Sequence, residues 1–316
     1  MLTFLQPADV PADFGPSAVT IGKFDGVHAG HRAVIERLRA VAAERTLATA
    51  VVTFDRHPLA LLRPELCPPA LVSNAQRLEL LESTGVDAVL MLTFDRALSE
   101  LSADEFVTSI LVDALHTRVV LVGADFRFGA GGRGTVDTLV ELGRVHGFDV
   151  VVIADIEPDG HRRASSTWIR ELLGEGRVRE AADLLGSLPT LRAMVVHGAQ
   201  RGRTLGYPTA NLSRDVEGHV PADGVYAAWL TFDGVRYPAA VSVGNNPTFD
   251  GVPEKQVEAH VLDQSLDLYD RVVEVSFVDY VRGMVKFSGA DELAAQMRSD
   301  EERIREILGV PPRPLA

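Results

Sequence analysis

A change of rhythm part-way along the 316-residue chain is what most constrains its fold. Up to about residue 185, short apolar runs alternate with stretches whose apolar residues recur at helical spacing. Beyond that point strand-like runs follow one another with only turns between them. An apolar run over 18–22 leads into Phe24-Asp25-Gly26, and after His31 the residues Val34, Leu38 and Val41 share one helical face. The alternation continues as a strand over 47–54, a helix over 74–83 opened by Ser73, and a strand over 88–94. A Ser102–Glu105 capping box follows ahead of 106–115, then a strand over 119–123, a helix over 136–146 and a strand over 150–154. Strands separated by helices need crossover connections, so this half is predicted to be an α/β domain with a mainly parallel sheet covered on both faces. Ligands of such sheets bind at the carboxyl ends of the strands, which selects the loops 24–31, 55–58, 124–134 and 165–170.

A short helix over 177–185 precedes Gly186-Ser187-Leu188-Pro189, and the pattern breaks there. The boundary is placed near residue 187, giving domains 1–187 and 188–316. Runs over 191–197, 225–232, 237–243, 257–262 and 272–278 then follow without helices. Asp233-Gly234 is a hairpin signal between two of them. Such a series closes most readily into an antiparallel β-barrel. A terminal helix over 291–308 turns Leu293, Met297, Ile304 and Leu308 toward a core and stops at Gly309 before Pro311.

Charge and cysteine content narrow the partners. The chain carries 31 basic against 44 acidic side chains, a formal net charge of −13, so a general polyanion-binding surface is excluded and nucleic acid is not expected. Phosphate has to meet a local basic or backbone-amide site. The single cysteine, Cys67, has no partner for an internal disulfide, the N-terminal residues lack a signal-peptide pattern, and no apolar run approaches the ~20 residues that span a bilayer. The expectation is a cytoplasmic protein with small-molecule substrates and no membrane partner. Whether it forms a homo-oligomer stays open.

His28 and His31 precede a helix whose free N–H groups and dipole favour an anion. A histidine pair there can hydrogen-bond phosphate oxygens and share the charge that develops when an α-phosphate is attacked in line. The four residues His28-x-Gly30-His31 serve equally well to cap or pack a turn. Their surroundings add to them: Gly22-x-Phe24-Asp25-Gly26-Val27-His28-x-Gly30-His31 closely resembles the nucleotidyltransferase signature of bacterial bifunctional riboflavin kinase/FAD synthetases. Thr53-Phe54-Asp55-x-His57-Pro58, Val122-Gly123-x-Asp125-Phe126-Arg127-Phe128-Gly129 and Ser165-Ser166-Thr167-x-Ile169-Arg170 resemble that family's further motifs in the same order.

The resemblance implies a Rossmann-like nucleotidyltransferase domain that takes ATP and FMN, with His28, His31 and Arg170 at the reacting phosphates. Gly22, Phe24, Gly30, Ser165, Ser166 and Thr167 would hold ATP and its phosphates; Phe54, His57, Asp125 and Phe128 would lie on the flavin. Physical chemistry is compatible, since Ser166 or Thr167 can open a helix and Arg170 offers a planar fork for phosphate. Phe54 and Phe128 read equally well as core aromatics at strand ends. Asp55 and His57 are better suited to arranging a loop around Pro58 than to holding a metal.

In the second half, His197-Gly198-x-x-Arg201-Gly202-Arg203-Thr204-Leu205-Gly206-Tyr207-Pro208-Thr209-Ala210-Asn211-Leu212 combines glycines that admit a close ligand with local positive charge. By composition it is a phosphate loop or a turn-rich connector. Its Pro-Thr-Ala-Asn segment resembles the hallmark of the riboflavin kinase family, which implies Mg²⁺ held by Thr209 and Asn211 and nucleotide phosphate near Gly202 and Arg203. The stretch 257–263 resembles the segment carrying that family's catalytic glutamate, here Glu258. An isolated strand carboxylate would otherwise read as a surface residue. His260 reads as oriented within the barrel, and 224–227, 242–249 and 281–287 complete the likeness. The implied activities are riboflavin plus ATP to FMN in the barrel and FMN plus ATP to FAD and pyrophosphate in the α/β domain.

Gly129-Ala130-Gly131-Gly132-Arg133-Gly134 formally matches a dinucleotide fingerprint but does not follow its strand immediately, so it reads as a glycine loop beside the nucleotide; no Walker A motif is present. Three positions depart from the family pattern: Lys23 where an apolar residue is expected, Arg56 where proline is usual, and Ser187 where arginine is frequent. Lys23 and Arg56 either add positive charge near ATP or point to solvent. The alternatives to a bifunctional enzyme are a chain that retains one activity, a flavin-binding regulator, and a nucleotidyltransferase acting on another phosphate monoester.

Overall fold

A computed structural model describes residues 1–153, 162–198, 207–244 and 255–311. They pack as two compact units, Met1–Ser165 and Ser166–Ala316.

The first unit contains β1 (Leu2–Phe4), β2 (Ser17–Ile21), α1 (Ala29–Arg45), β3 (Ala48–Phe54), α2 (Pro58–Leu62), α3 (Asn74–Glu82) and β4 (Ala88–Leu92). It continues with α4 (Arg96–Glu100), α5 (Ala103–Phe106, running on as a π-helical turn over Val107–Ala114), β5 (Thr117–Gly123), α6 (Val136–His146) and β6 (Asp149–Ile153). The six strands lie in the order β1-β4-β3-β2-β5-β6 and every neighbouring pair is parallel. Because both faces are covered, the central strands read as continuous apolar runs sorted by a period of two. Val52, Leu90 and Val120 pack with Phe106 and Leu139 on one face. Val51 and Val89 meet Ile35 and Leu81 on the other, and Val119 and Leu121 meet Leu38 and Val41. The chain builds outward from β2 to β3 and then returns to lay β5 on the other side of β2. This reversal leaves a crevice at the carboxyl ends of β2 and β5, where α/β sheets bind ligands.

The second unit begins with α7 (Ser166–Gly174) and α8 (Val178–Leu185). Then come β7 (Thr190–Val196), β8 (Ala210–Leu212), β9 (Gly224–Phe232), β10 (Val235–Gly244), β11 (Gln256–Val261), β12 (Val272–Arg282) and α9 (Ala290–Leu308). The strands close into an antiparallel barrel in the order β10-β11-β8-β7-β12-β9. Asp233 and Gly234 both have positive φ, 48° and 75°, the two-residue turn whose twist matches a β-hairpin. Helices α7 and α8 pack with the barrel: the Ala222 N–H donates to the Leu173 carbonyl at 2.8 Å, and Arg179 pairs with Asp279 at 2.6 Å. Helix α9 is fixed by Ile304 against Val225, Ala227 and Leu262. Its buried polar side holds too, with Arg282 bidentate on Asp300 and Arg305 on Asp263 and Glu301.

Candidate functional site

A cavity of about 630 Å³ opens in the crevice of the first unit. His28 caps α1 and His31 stands three residues later, so the helical repeat places both rings on one face; they stack with centroids 3.8 Å apart and planes at 24°. Both line the cavity. Burial, helped by the charge of Arg163, lowers the His28 imidazole to about 4. His31 is held well below its ordinary value, first by burial and then by His28, Lys23, Arg163 and Arg77. Both rings are therefore neutral at pH 7. The Nδ1 atoms of both are buried without a hydrogen-bond partner among the described residues. Buried polar atoms are ordinarily paired, so two unpaired ring nitrogens beside a cavity mark an unusual site.

The loop carrying them is held in a costly shape. Phe24 and Val27, both buried, have φ of 49° and 40° in the left-handed region. Three hydrogen bonds hold the loop from outside: the Arg77 and Thr53 side chains donate to the Lys23 carbonyl at 2.8 and 3.1 Å, and the loop's own Asp25 accepts from the Leu71 N–H at 2.9 Å. A Cβ at Gly30 would stand 3.2 Å from the His28 ring, and one at Gly22 would stand 3.0 Å from Phe24, so both glycines let a ring lie flat on the backbone.

The remaining loops of the unit supply the other walls. His57 caps α2, its Nδ1 accepting from the Leu59 N–H at 3.1 Å, and Asp55 accepts from the Phe94 N–H at 2.9 Å, so the two residues arrange the loop as expected. Phe54 stands edge-on to Phe94 at 5.4 Å, while Phe128 packs between Phe106 and Phe126. Both phenylalanines also line the cavity, so the core reading and the ligand reading describe the same side chains. Asp125, exposed at the rim, takes Arg163 at 3.0 Å. In the glycine stretch, Phe128 bridges to Gly134, and a Cβ at Gly129 would meet the Ala103 backbone nitrogen at 2.8 Å. That stretch is a pinned loop, not a strand-to-helix turn. Ser165 ends the first unit; Ser166, Thr167 and Arg170 stand on the first turns of α7 in the second.

In the barrel, β11 pairs with β8 so that Glu258 lies opposite Asn211, and β10 sets Ser242 opposite Glu258. The Thr209 hydroxyl donates to Glu258 Oε2 at 3.4 Å, and the Asn211 amide donates to the Thr209 carbonyl at 3.4 Å. Three residues singled out from the sequence thus form one cluster. A Cβ at Gly198 would fall 2.4 Å from the Asn211 amide, so only glycine lets that side chain lie where it does. His260 turns Nδ1 to the Pro208 carbonyl at 2.8 Å and meets Tyr207 edge-on at 5.1 Å, which orients it within the barrel. Among the described residues no three His, Cys, Asp or Glu side chains gather as a metal cluster. The hydroxyl, amide and carboxylate oxygens of Thr209, Asn211 and Glu258 instead form a set that suits a hard cation shared with phosphate. Gly202, Arg203 and 245–249 lie outside the described residues.

The chain matches the FAD synthetase family model over residues 10–167 and the riboflavin kinase family model over residues 185–308. It is 38% identical over 295 residues to the bifunctional riboflavin kinase/FMN adenylyltransferase of Escherichia coli (strain K12), covering 92% of this chain and 93% of that one. The chain belongs to the bifunctional riboflavin kinase/FMN adenylyltransferase family. A family member from Listeria monocytogenes is 35% identical over 290 residues, covering 91% of each chain. The α/β unit corresponds to the family's FAD synthetase domain and the barrel to its riboflavin kinase domain. A Streptococcus pneumoniae structure described as a macrolide-efflux protein shares the fold, with TM-score 0.87 and 34% identity over 96% of this chain and 99% of that one. In this chain, no helix among the described residues is long and apolar enough to cross a membrane.

Sequence reasoning missed Arg77 and Arg163. Arg77 is a buried arginine on α3 bonded to Asn74, Thr53 and the Lys23 carbonyl, and Arg163 places its charge beside both histidines. A charged residue in a helical pattern looks solvated until the fold buries it, so only the low exposure of Arg77, 7%, sets it apart.

Proposed function

We propose that His28 and His31 serve adenylyl transfer in the α/β unit, and that Thr209, Asn211 and Glu258 serve riboflavin phosphorylation in the barrel. The carrying observation is the stacked, neutral histidine pair that lines the crevice cavity. In adenylyl transfer an FMN phosphate oxygen bonds to the α-phosphorus of ATP, and the bond from that phosphorus to pyrophosphate breaks. A neutral imidazole donates one N–H to the oxygens on which charge builds, and arriving phosphate raises the basicity of both rings. Gly22, Phe24, Gly30 and Ser165 hold the ATP phosphates, and for Ser166, Thr167 and Arg170 the phosphate role rests on the motif resemblance. Phe54 and Phe128 give a flat apolar wall for the flavin, with His57 and Asp125 at its polar edge.

In the barrel, the riboflavin primary hydroxyl bonds to the γ-phosphorus of ATP as the bond to ADP breaks, and Glu258 takes the hydroxyl proton. Thr209 and Asn211 would hold Mg²⁺, which neutralises triphosphate charge when bound; Gly202 and Arg203 belong to the same phosphate site. The domain boundary falls near residue 187, and the reactions belong in the cytoplasm, where Cys67 stays reduced. Product chromatography from riboflavin, ATP and Mg²⁺ tests this reading. FMN should appear first and FAD second, and chelation with EDTA should stop both. FMN without FAD would leave a single-activity kinase, and tight riboflavin binding without product would mark a flavin-binding regulator.

A further inference from the structure

Phe24 and Val27 occupy the left-handed region, at φ of 49° and 40°, and bulky residues keep such a shape only where their surroundings enforce it. For Phe24 the enforcing contact stands one residue upstream. Its φ is measured from the Lys23 carbonyl carbon, so whatever holds that carbonyl sets the angle. The Arg77 guanidinium donates to it at 2.8 Å and the Thr53 hydroxyl at 3.1 Å; Arg77 also reaches the Thr53 hydroxyl at 3.5 Å and the Asn74 side-chain oxygen. Arg77 is buried, yet it does not line the cavity. A guanidinium in that position loses its hydration, which its bonds to the loop offset, whereas a side chain needed only to fill the buried face of α3 would be apolar. From Phe24 the constraint passes to the histidines. The Phe24 ring lies 4.9 Å from that of His31, with planes at 43°, and a Cβ at Gly22 would stand 3.0 Å from it, so the ring is confined from behind. His31 in turn stacks on His28. The charge of Arg77 also acts on His31 and helps to keep it neutral.

We propose that Arg77 is a positioning residue for adenylyl transfer: by holding the Lys23 carbonyl it fixes the left-handed turn at Phe24, and through the Phe24 ring it keeps His31 and His28 stacked at the cavity. Arg77 acts from α3 without touching substrate. This rests on the adenylyl-transfer reading of the histidine pair, and it adds to that reading the group that sets the geometry of the pair.

The test uses the full chain, its R77M and R77K variants, and two readouts. In FAD synthesis from supplied FMN, R77M should lower kcat about tenfold and leave the KM of ATP and of FMN within about twofold, the pattern of reacting groups held out of place. R77K, which still offers a donor to the carbonyl, should recover most of the loss. The second readout is NMR of the imidazole C–H groups in the ¹³C-histidine-labelled chain, assigned through H28N and H31N. Stacked rings displace one another's signals, so those of His28 and His31 should move in R77M and return in R77K. A kcat for R77M within about twofold of the parent, imidazole signals that stay in place while kcat falls, or R77K no better than R77M would each overturn the proposal. Should R77M fail to fold, as judged by circular dichroism, T53V decides. It removes the other donor to the same carbonyl and should lower kcat about threefold while moving the same signals in the same direction; parent kcat or parent signals in T53V would overturn the proposal. Should His28→Ala leave FAD synthesis at the parent rate, the adenylyl-transfer reading fails, and the imidazole signals still decide whether Arg77 holds the pair.

Discussion

The two sites gather their chemistry in opposite ways. In the crevice, the residues sit on loops at the carboxyl ends of parallel strands, and the key pair is local, three residues apart on one helical turn. In the barrel they sit on or beside strands, and the key contact, Thr209 to Glu258, joins residues 49 apart through the β8–β11 register. The crevice pair, with His28 buried and His31 half-buried, is electrically neutral. The barrel cluster is half-buried and keeps a carboxylate beside oxygen donors. A site made of loops tolerates change in its walls, whereas a site made of register depends on neighbouring strands staying aligned.

The largest effect expected from this contrast is at Glu258. Glu258→Gln keeps the shape and removes the proposed proton acceptor, so FMN formation should fall by about 10³-fold, within the range for a lost general base. FAD synthesis from supplied FMN should keep its parent rate; a fall in both would break the separation of the two sites. Next in size, His28→Ala removes one proposed donor to the reacting phosphate and should lower FAD synthesis about 10²-fold, with riboflavin phosphorylation intact. Gly198→Ala sharpens the register argument. The new methyl must displace the Asn211 amide, and the kinase rate should drop about tenfold while FAD synthesis is spared, because shifting a proposed ligand weakens positioning without removing a reacting group. An unchanged kinase rate would show that Asn211 is not held by that contact.

The smallest effect is on stability. The His28 imidazole titrates near 6.5 when unfolded and near 4 when folded. As pH falls, the unfolded chain therefore takes up a proton first, and stability present above pH 6.5 is lost progressively toward pH 4. By pH 5 the loss from His28 is about 2 kcal/mol. Urea unfolding at pH 7 and pH 5 should show it in the parent and not in His28→Asn, and equal pH slopes would contradict the burial argument.

The same contrast governs what could be read from the sequence. Alternating apolar runs announced the parallel sheet, and Asp233-Gly234 announced a hairpin, because period and turn chemistry are local. Strands β1 and β8, three residues each, and the short helix α2 escaped, being too short for any period to register. The packing of α7 and α8 with the barrel was likewise invisible, since an amphipathic helix does not name the surface it covers. His28 and His31 were legible as a pair from their spacing. Glu258 was not legible from its own surroundings; only the resemblance selected it, because its partners arrive through strand register. Arg77 carried no signal at all, as its role is to hold a carbonyl 54 residues away.

Mixing the two disabled chains tests most directly whether the sites work separately. Glu258→Gln alone, given riboflavin and ATP, should yield no FMN and no FAD, and His28→Ala alone should yield FMN that accumulates. Combined in one tube, they should make FAD from riboflavin, because FMN released by one chain diffuses to the other. Failure of the mixture to make FAD, with both variants folded, would contradict independent sites linked by free FMN.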